Sequence, residues 1–474
     1  MIETRSLIAG IKLEPSDLPR VLLELSKKGW KPALLESQRV FLQLAGVADK
    51  MPMSPIRESV FRRHFPPGMV SGDVFFQDED VYYVITSLGG QVLLERFIRF
   101  GFYPKGKREQ PQLEVGVVSR LCDGLAERLE SFAAMFEEAV KASLDNYKTQ
   151  GMKFDWHELR MGTPRIDKII QASEEQGEPN LSRANLVTEE VEAAQLLTSK
   201  STRKLLIELS EAGFAREQDI LGRKAKAREE ISTALNNLRQ AGLLNVEYLL
   251  ECKQRGTPLT RLRDPQQLNN PEIGSLLCPS CGANFSQERL SEGYSLSDLG
   301  RRMSSQSHWM TIWVTKLLLE LGVPQEAILW NISEAGSEVD LLVEFLGELW
   351  IFELKDREFG AGDAYALNYR QVRYRADRAI VVTTEKVSRD AKRVFDELAR
   401  GARRPRWAGP VYIEGLEAAR EVLGKEIDKV ALRYASQKLA VISELSGYNL
   451  GAILSERFGE PFESQEEDEF EVPF

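Results

Sequence analysis

Two apolar runs of strand-forming residues, each carrying acids at set positions, constrain this chain more than any other feature. The first reads Glu338-Val-Asp340-Leu-Leu-Val-Glu344-Phe345 and the second Glu348-Leu-Trp-Ile-Phe-Glu353-Leu-Lys355, with only Leu346-Gly347 between them. Neither run contains proline, and Val, Ile, Phe and Trp suit a pleated, half-buried surface, so a β-hairpin with a two-residue turn is the natural reading. Taken literally, that turn sets Asp340 directly opposite Glu353. Side chains two apart share a face, so Lys355 stands beside Glu353 while Leu341, Val343, Phe352 and Leu354 face the other way. Facing carboxylates on a sheet repel and require a compensating cation. A divalent ion with oxygen ligands, of the kind Mg²⁺ prefers, supplies that charge.

The surrounding pattern places this hairpin inside a longer series. A helix is expected over about 305–321, with Trp309, Ile312, Leu317 and Leu319 among its apolar residues, and a strand over 327–331. After the hairpin come a helix over about 363–375, a strand over 379–383 and a helix over about 388–400. Asp340, twelve residues, then Glu353-Leu-Lys355, set in this order of elements, resembles the PD-(D/E)XK nuclease superfamily of restriction enzymes and related DNA-processing nucleases, over residues 300–425. The resemblance implies a restriction endonuclease-like αβββαβ core that cuts DNA. Asp340 and Glu353 would hold Mg²⁺ or Mn²⁺, and Lys355 would position or deprotonate the attacking water and stabilise charge at phosphorus. The metal would act as a Lewis acid and lower the pKa of its water. Ser337-Glu338-Val339 stands before Asp340 where the family carries proline, which makes Glu338 a candidate accessory acid. Glu320, in the preceding helix, is a candidate extra carboxylate, and Gln371 matches a glutamine that contacts the site in some relatives. Arg370, Arg373, Arg375 and Arg378 are expected to cluster on the next helix, with Arg403, Arg404 and Arg406 beyond Gly401. Phosphate neutralisation calls for such groups.

Upstream, Leu205, Leu206 and Leu209 form a helical stripe, Glu217 to Leu221 make a short second helix, and a third spans about 227–241 with Ile231, Leu235 and Leu238 inward. Gly242 ends it. Strands at 246–250 and 259–262 follow, joined by Lys253-Gln254-Arg255-Gly256. Three helices and a hairpin resemble a winged helix-turn-helix, whose third helix enters the major groove while the hairpin touches phosphates. On that resemblance Arg228, Thr233, Asn236, Asn237 and Arg239 face DNA, with Lys253 and Arg255 on the backbone. Leu277-Cys278-Pro-Ser-Cys281-Gly282 resembles one knuckle of a zinc ribbon, in which two thiolates point at one ion. Cys252 is a candidate third ligand for Zn²⁺. Arg255 occupies the position where its own C-x-x-C partner would stand, so the fourth ligand is missing.

Composition narrows the chemistry further. Three histidines, His64, His157 and His308, are too few for a multi-histidine zinc hydrolase, and no G-x-S-x-G elbow is present. A net charge of −10 argues against non-specific coating of nucleic acid but not against a local basic surface. Four cysteines in 474 residues are no disulfide framework. Met1 to Leu13 do not read as a secretory signal and no run is apolar enough to span a bilayer, so a cytoplasmic protein without membrane contact is expected. Gly101 to Lys107 match the skeleton of a phosphate loop, but Arg108 replaces the hydroxyl residue that holds magnesium, and a basic turn is the better reading.

The expected organisation is multidomain α/β. Residues 1–150 form an N-terminal α+β region with a helix at 18–28, a strand at 81–86, a helix at 91–100 and a long helix over about 115–147. A linker and helix (151–200), the winged helix (201–265), the ribbon-like segment (266–295), the nuclease-like core (300–425) and a helical segment (426–458) follow. The acidic tail, 459–474, has no lysine or arginine beyond Glu463 and is expected to be disordered. It closes on Pro473-Phe474, which resembles the tip of bacterial single-stranded-DNA-binding proteins and implies proteins that bind that tip as partners. The expected activity is metal-dependent DNA cleavage in prokaryotic (antiviral) defence or repair. The alternative is a DNA-binding regulator or scaffold on an inactive nuclease fold, and a homo-oligomer stays open.

Overall fold

A computed structural model describes residues 1–11, 13–44, 70–87, 112–144, 154–159, 162–176, 182–222, 228–305, 307–334, 337–401 and 409–459. The helix expected over 91–100, the turn at 101–107, Gly177, Pro179 and Asn180 of the linker, Arg403, Arg404, Arg406 and the tail from 460 lie outside the described residues. The chain is a multidomain α/β protein with three sheets among the described residues. It divides into two compact units, one of Met1–Lys168, Glu344–Glu348 and Arg420–Phe474, the other of Ile169–Val343 and Leu349–Ala419. None of its described helices is long and apolar enough to cross a membrane.

The first unit is built on strands β1 (Glu3–Ala9), β2 (Val70–Gln77), β3 (Asp80–Ser87), β4 (Gln112–Ser119) and β5 (His157–Glu158), antiparallel in the order β2-β3-β4-β1-β5. Alternation along β3 divides its side chains between two cores. Tyr82 and Val84 pack with Val115, Val117 and the helices Leu18–Lys27 and Leu125–Ser143 on one face. Val81, Tyr83 and Ile85 pack on the other with Ala431, Ile442, Leu450 and Phe458 from the last three helices, Ala419–Lys438, Ala440–Ser446 and Leu450–Phe458. The C-terminal helices therefore cover the N-terminal sheet. The long helix expected from residue 115 starts at Leu125 instead, because 115–119 complete β4. The alternating, β-branched Leu113-Glu-Val115-Gly-Val117-Val118 suits a sheet buried on both faces, and a helix would break that alternation. Glu344 accepts from the backbone N–H groups of Arg165 and Ile166 at 2.9 Å each, satisfying donors at the start of helix Pro164–Gln176.

In the second unit β6 is Ser182–Arg183, and the helices Lys200–Ala212, Glu217–Gly222 and Arg228–Gln240 follow the expected three-helix pattern. Strands β7 (Ala215–Arg216), β8 (Leu244–Glu251), β9 (Pro258–Leu262) and β10 (Arg289–Leu296) form a sheet in the order β7-β10-β8-β9. The expected β8–β9 hairpin is present, but β8 also pairs along its whole length with β10, from Leu244↔Leu296 to Glu251↔Arg289. Residues 266–295 thus end in a strand of the same sheet, and the cysteine segment is an insertion between two of its strands.

The third sheet contains β11 (Ile328–Glu334), β12 (Ser337–Phe345), β13 (Glu348–Lys355), β14 (Arg378–Thr383) and β15 (Val411–Glu414), in the order β15-β14-β13-β12-β11-β6. Helices Ala361–Tyr374 and Arg389–Gly401 make the crossovers that join β13 to β14 and β14 to β15 as parallel neighbours. Parallel strands covered on both faces read as continuous apolar runs, and Leu349 to Leu354 are all buried. Leu346 and Gly347 close the β12–β13 hairpin with φ of 48° and 83°, the pair of positive values that a type I′ turn demands.

Candidate active site

Asp340 and Glu353 lie on the facing strands β12 and β13, 8% and 3% exposed. Asp340 Oδ2 accepts from the backbone N–H of Leu354 at 2.7 Å, which fixes the aspartate against the neighbouring strand. Lys355, two residues beyond Glu353 and so on its face, brings Nζ to 2.7 Å from Glu353 Oε1. Helix Ala361–Tyr374 contributes the second cation: Arg370 Nη1 donates to Glu353 Oε2 at 2.5 Å. Burial pulls the Lys355 ammonium toward deprotonation, but the carboxylates of Glu353 and Asp340 outweigh it and hold the pKa above the ordinary lysine value. The structure therefore gathers Asp340, Glu353 and Lys355 and adds Arg370, which the sequence reading had assigned to phosphate. Two carboxylates on adjacent strands are a hard, oxygen-only donor set, the kind that suits Mg²⁺ or Mn²⁺.

The flanking residues sort differently. Gln371 is buried beside Arg370 on the same helix. Glu320 ends helix His308–Glu320, half exposed, and pairs with Lys316 at 3.8 Å. Glu338 is on β12, and its side chain lies outside the described residues. The expected arginine cluster is only partly on one surface. Arg373 is exposed beside the Tyr369 hydroxyl, at 3.2 Å, whereas Arg378 is not helical: it opens β14, is 9% exposed and lies over the Trp350 ring, 5.8 Å from its centroid. Backbone reversal at Arg375 (φ 52°) ends the helix and starts that strand. Tyr365, Tyr369 and Val372 leave an exposed apolar stripe on the helix that carries Arg370 and Arg373.

Sequence reasoning missed Arg203. From helix Lys200–Ala212 its Nε lies 3.1 Å from Asp356 Oδ1, directly after Lys355, while Nη1 donates to the carbonyls of Leu197 and Thr198 at 2.7 Å each. The guanidinium also sits 5.2 Å from the Trp309 ring centroid. Asp356 and Arg203 are far apart in sequence, and no local pattern announces the pair.

Arg228, Thr233, Asn236 and Arg239 are exposed on helix Arg228–Gln240, as are Lys253 and Arg255 in the β8–β9 loop. Asn237 is half-buried, lining a cleft with Ser199, Thr202 and Thr233. The Thr233 hydroxyl is turned to the carbonyl of Glu229 at 2.9 Å.

Cys252, Cys278 and Cys281 come together, and Glu288 joins them: their ligand atoms all lie within 4.8 Å of one another. The Cys281 thiol donates to Glu288 Oε1 at 2.8 Å, and that carboxylate pushes the thiol pKa up to about 12. The fourth group was invisible in the sequence because it is neither cysteine nor histidine and follows no spacing rule.

No family model matches the chain, and no curated protein does. Among solved structures it is similar to the crystal structure of protein VC1899 from Vibrio cholerae, at 12% identity and a TM-score of 0.31, over 53% of this chain and 60% of that chain's length.

Proposed function

We propose that the chain is a metal-dependent nuclease that hydrolyses DNA phosphodiester bonds, with a winged helix that places the DNA. The observation that carries this reading is the buried pair Asp340 and Glu353 on adjacent strands, with the half-buried Lys355 ammonium 2.7 Å from Glu353 and Asp340 bonded to the Leu354 N–H. Its support is the order of elements around the trio: helix His308–Glu320, β11, β12, β13, helix Ala361–Tyr374 and β14, the αβββαβ core of restriction-like nucleases.

Asp340 and Glu353 would hold Mg²⁺ or Mn²⁺, which supplies Lewis acidity toward the phosphate and a more acidic water. Asp340 is pre-set for this by the Leu354 N–H, which leaves its orientation fixed whether or not an ion is present. Lys355 offers a positive group beside Glu353, where it orients the attacking water and stabilises the charge that develops on the phosphoryl oxygens. Arg373, Tyr365 and Tyr369 lie exposed on the adjoining helix, a cation and two rings suited to a phosphate backbone and to unstacked bases.

The test is incubation of the purified chain with supercoiled plasmid and linear DNA, with Mg²⁺ or with EDTA. Cutting or nicking is expected with the ion alone, and Asp340→Ala, Glu353→Ala and Lys355→Ala should each abolish it while the circular dichroism melt persists. One observation favours a second reading, a DNA-binding regulator on an inactive nuclease fold: Arg370 already holds the second oxygen of Glu353. Gel shifts with DNA at every metal condition, without any cleavage, would select that reading.

A further inference from the structure

The β8–β9 loop and the insertion between β9 and β10 each carry a turn of the same construction. In the first, the backbone N–H of Cys252 donates to Thr257 O at 2.9 Å and that of Gly256 to Cys252 O at 2.7 Å. In the second, Cys278 N–H donates to Ala283 O and Gly282 N–H to Cys278 O, both at 2.8 Å. Each turn closes on a glycine with positive φ, 66° at Gly256 and 77° at Gly282, a conformation that a residue with Cβ adopts only with strain. The two loops touch through the hydroxyls of Thr257 and Ser280, 3.0 Å apart. They are paired knuckles, and their equivalent positions are Cys252 with Cys278 and Arg255 with Cys281.

Arg255 leaves one ligand short, and the place is filled from outside the knuckles. Glu288, immediately before β10, brings Oε1 to 2.8 Å from Cys281 Sγ, and its Oε2 accepts from the backbone N–H of Lys253 at 2.5 Å. That second bond fixes the carboxylate, as supporting groups do at metal centres. Cys252 and Cys278 are 1% and 2% exposed, so the cluster is closed on the protein side.

We propose that Cys252, Cys278, Cys281 and Glu288 bind one structural Zn²⁺ through three thiolates and one carboxylate. A tetrahedral site with Zn–S near 2.3 Å sets sulfurs about 3.8 Å apart, inside the 4.8 Å span of the four ligand atoms. Four protein ligands leave no open position for water, so the ion ties the end of β8, the knuckle at 278–282 and the start of β10 into one rigid wing rather than taking part in catalysis. The proposal stands apart from the nuclease reading, since no ligand is shared with Asp340 or Glu353.

The experiment is elemental analysis of the full chain purified without chelator, followed by replacement of the bound metal with Co²⁺ under reducing conditions. One zinc per chain is expected, and the cobalt form should show sulfur-to-cobalt charge-transfer bands and the visible bands of tetrahedral Co²⁺. Cys278→Ser should lose both. Glu288→Ala should keep the charge-transfer band, change the tetrahedral bands and weaken zinc by at least about 10–100-fold, the range for lost supporting groups at metal sites. Thiol titration of the wild type covers the case in which a variant does not fold. With zinc bound, only Cys122 should react quickly, and a chelator should release the other three. Purified protein free of zinc that takes up no Co²⁺, iron in place of zinc, or three freely reacting cluster thiols before chelation would each overturn the proposal. An unchanged Glu288→Ala cobalt spectrum would overturn the carboxylate ligand.

Discussion

Arg370 Nη1 lies 2.5 Å from Glu353 Oε2 while Lys355 Nζ lies 2.7 Å from Oε1, so both oxygens of one buried carboxylate are held by cations. The sequence demanded compensating charge at this point and read it as a metal. Arg370 supplies that charge from a neighbouring helix, and a divalent ion held at Glu353 would have to compete with it.

Removing Arg370 therefore has opposite effects with and without an ion. Arg370→Ala should destabilise the metal-free protein, by less than the about 3–5 kcal/mol of a buried charge stripped of its whole compensation, because Lys355 stays on the other oxygen. It should also bind Mn²⁺ roughly tenfold more tightly, about 1.4 kcal/mol, because the ion no longer displaces a guanidinium. Thermal melts in EDTA and in Mn²⁺, with calorimetric titration, measure both. A variant whose melting temperature Mn²⁺ does not raise would show that the guanidinium and not a metal is the permanent partner of Glu353.

Arg203 and Asp356 make the second prediction. Arg203 is 9% exposed and satisfies a carboxylate and two carbonyls at once, at 3.1, 2.7 and 2.7 Å. Only a planar fork serves all three, so Arg203→Lys should recover little of the loss caused by Arg203→Ala. The alanine variant is expected to lose about 3–5 kcal/mol in urea unfolding, as broken buried pairs do. A loss below about 1 kcal/mol would place this contact among the solvent-screened pairs.

How far the sequence could be read follows from the range of the forces involved. The β12–β13 hairpin was legible because its turn, its alternation and its acids lie within eighteen residues, 338–355. The helix at 18–27 and the three helices before β8 were legible for the same reason, since apolar spacing is local. Residues 115–119 were absorbed into a helix because Val115, Val117 and Val118 at mixed spacing serve either period, and what decided was pairing with β1 and β3 at a distance. The role of the last three helices was hidden, since their apolar faces say that they pack but not on what. Glu288 and Arg203 were missed in the same way: each acts through partners brought by the fold, and a lone Glu or Arg in sequence defaults to solvent.

Asp80 gives a pH prediction. Burial raises its pKa, but hydrogen bonds from Arg128 at 2.7 Å, from Ser119 and from Tyr82 outweigh that, and the folded value falls below the ordinary 3.8. A depressed carboxyl stabilises the fold above its unfolded pKa, and the contribution is lost as pH falls through the folded value, where the unfolded chain has already taken up the proton. Asp80→Asn should therefore cost about 1.5–3 kcal/mol at pH 7, the range for charged hydrogen bonds. That cost should be flat down to roughly pH 5 and shrink below pH 4. Urea midpoints for both proteins across pH 3–7 would show it, and a difference that stays constant to pH 3 would remove the carboxylate from the account.

The last prediction rests on Gly116 and Tyr83, which face each other across β4 and β3. A Cβ at Gly116 would lie 2.2 Å from Tyr83 Cζ, so the ring occupies the space a side chain would need. The ring cannot move away freely, because its hydroxyl is 2.6 Å from Ser6 Oγ and 2.9 Å from Glu114 Oε1, all of them buried. Gly116→Ala is expected to cost about 1–3 kcal/mol from overpacking alone, and more if the displaced hydroxyl leaves Glu114 with Lys438 as its partner. Tyr83→Leu opens the space, so the double variant Gly116→Ala, Tyr83→Leu should lose less than the sum of the two singles. A double-mutant cycle in urea measures that coupling, and strictly additive losses would mean that the ring and the glycine do not compete for one volume.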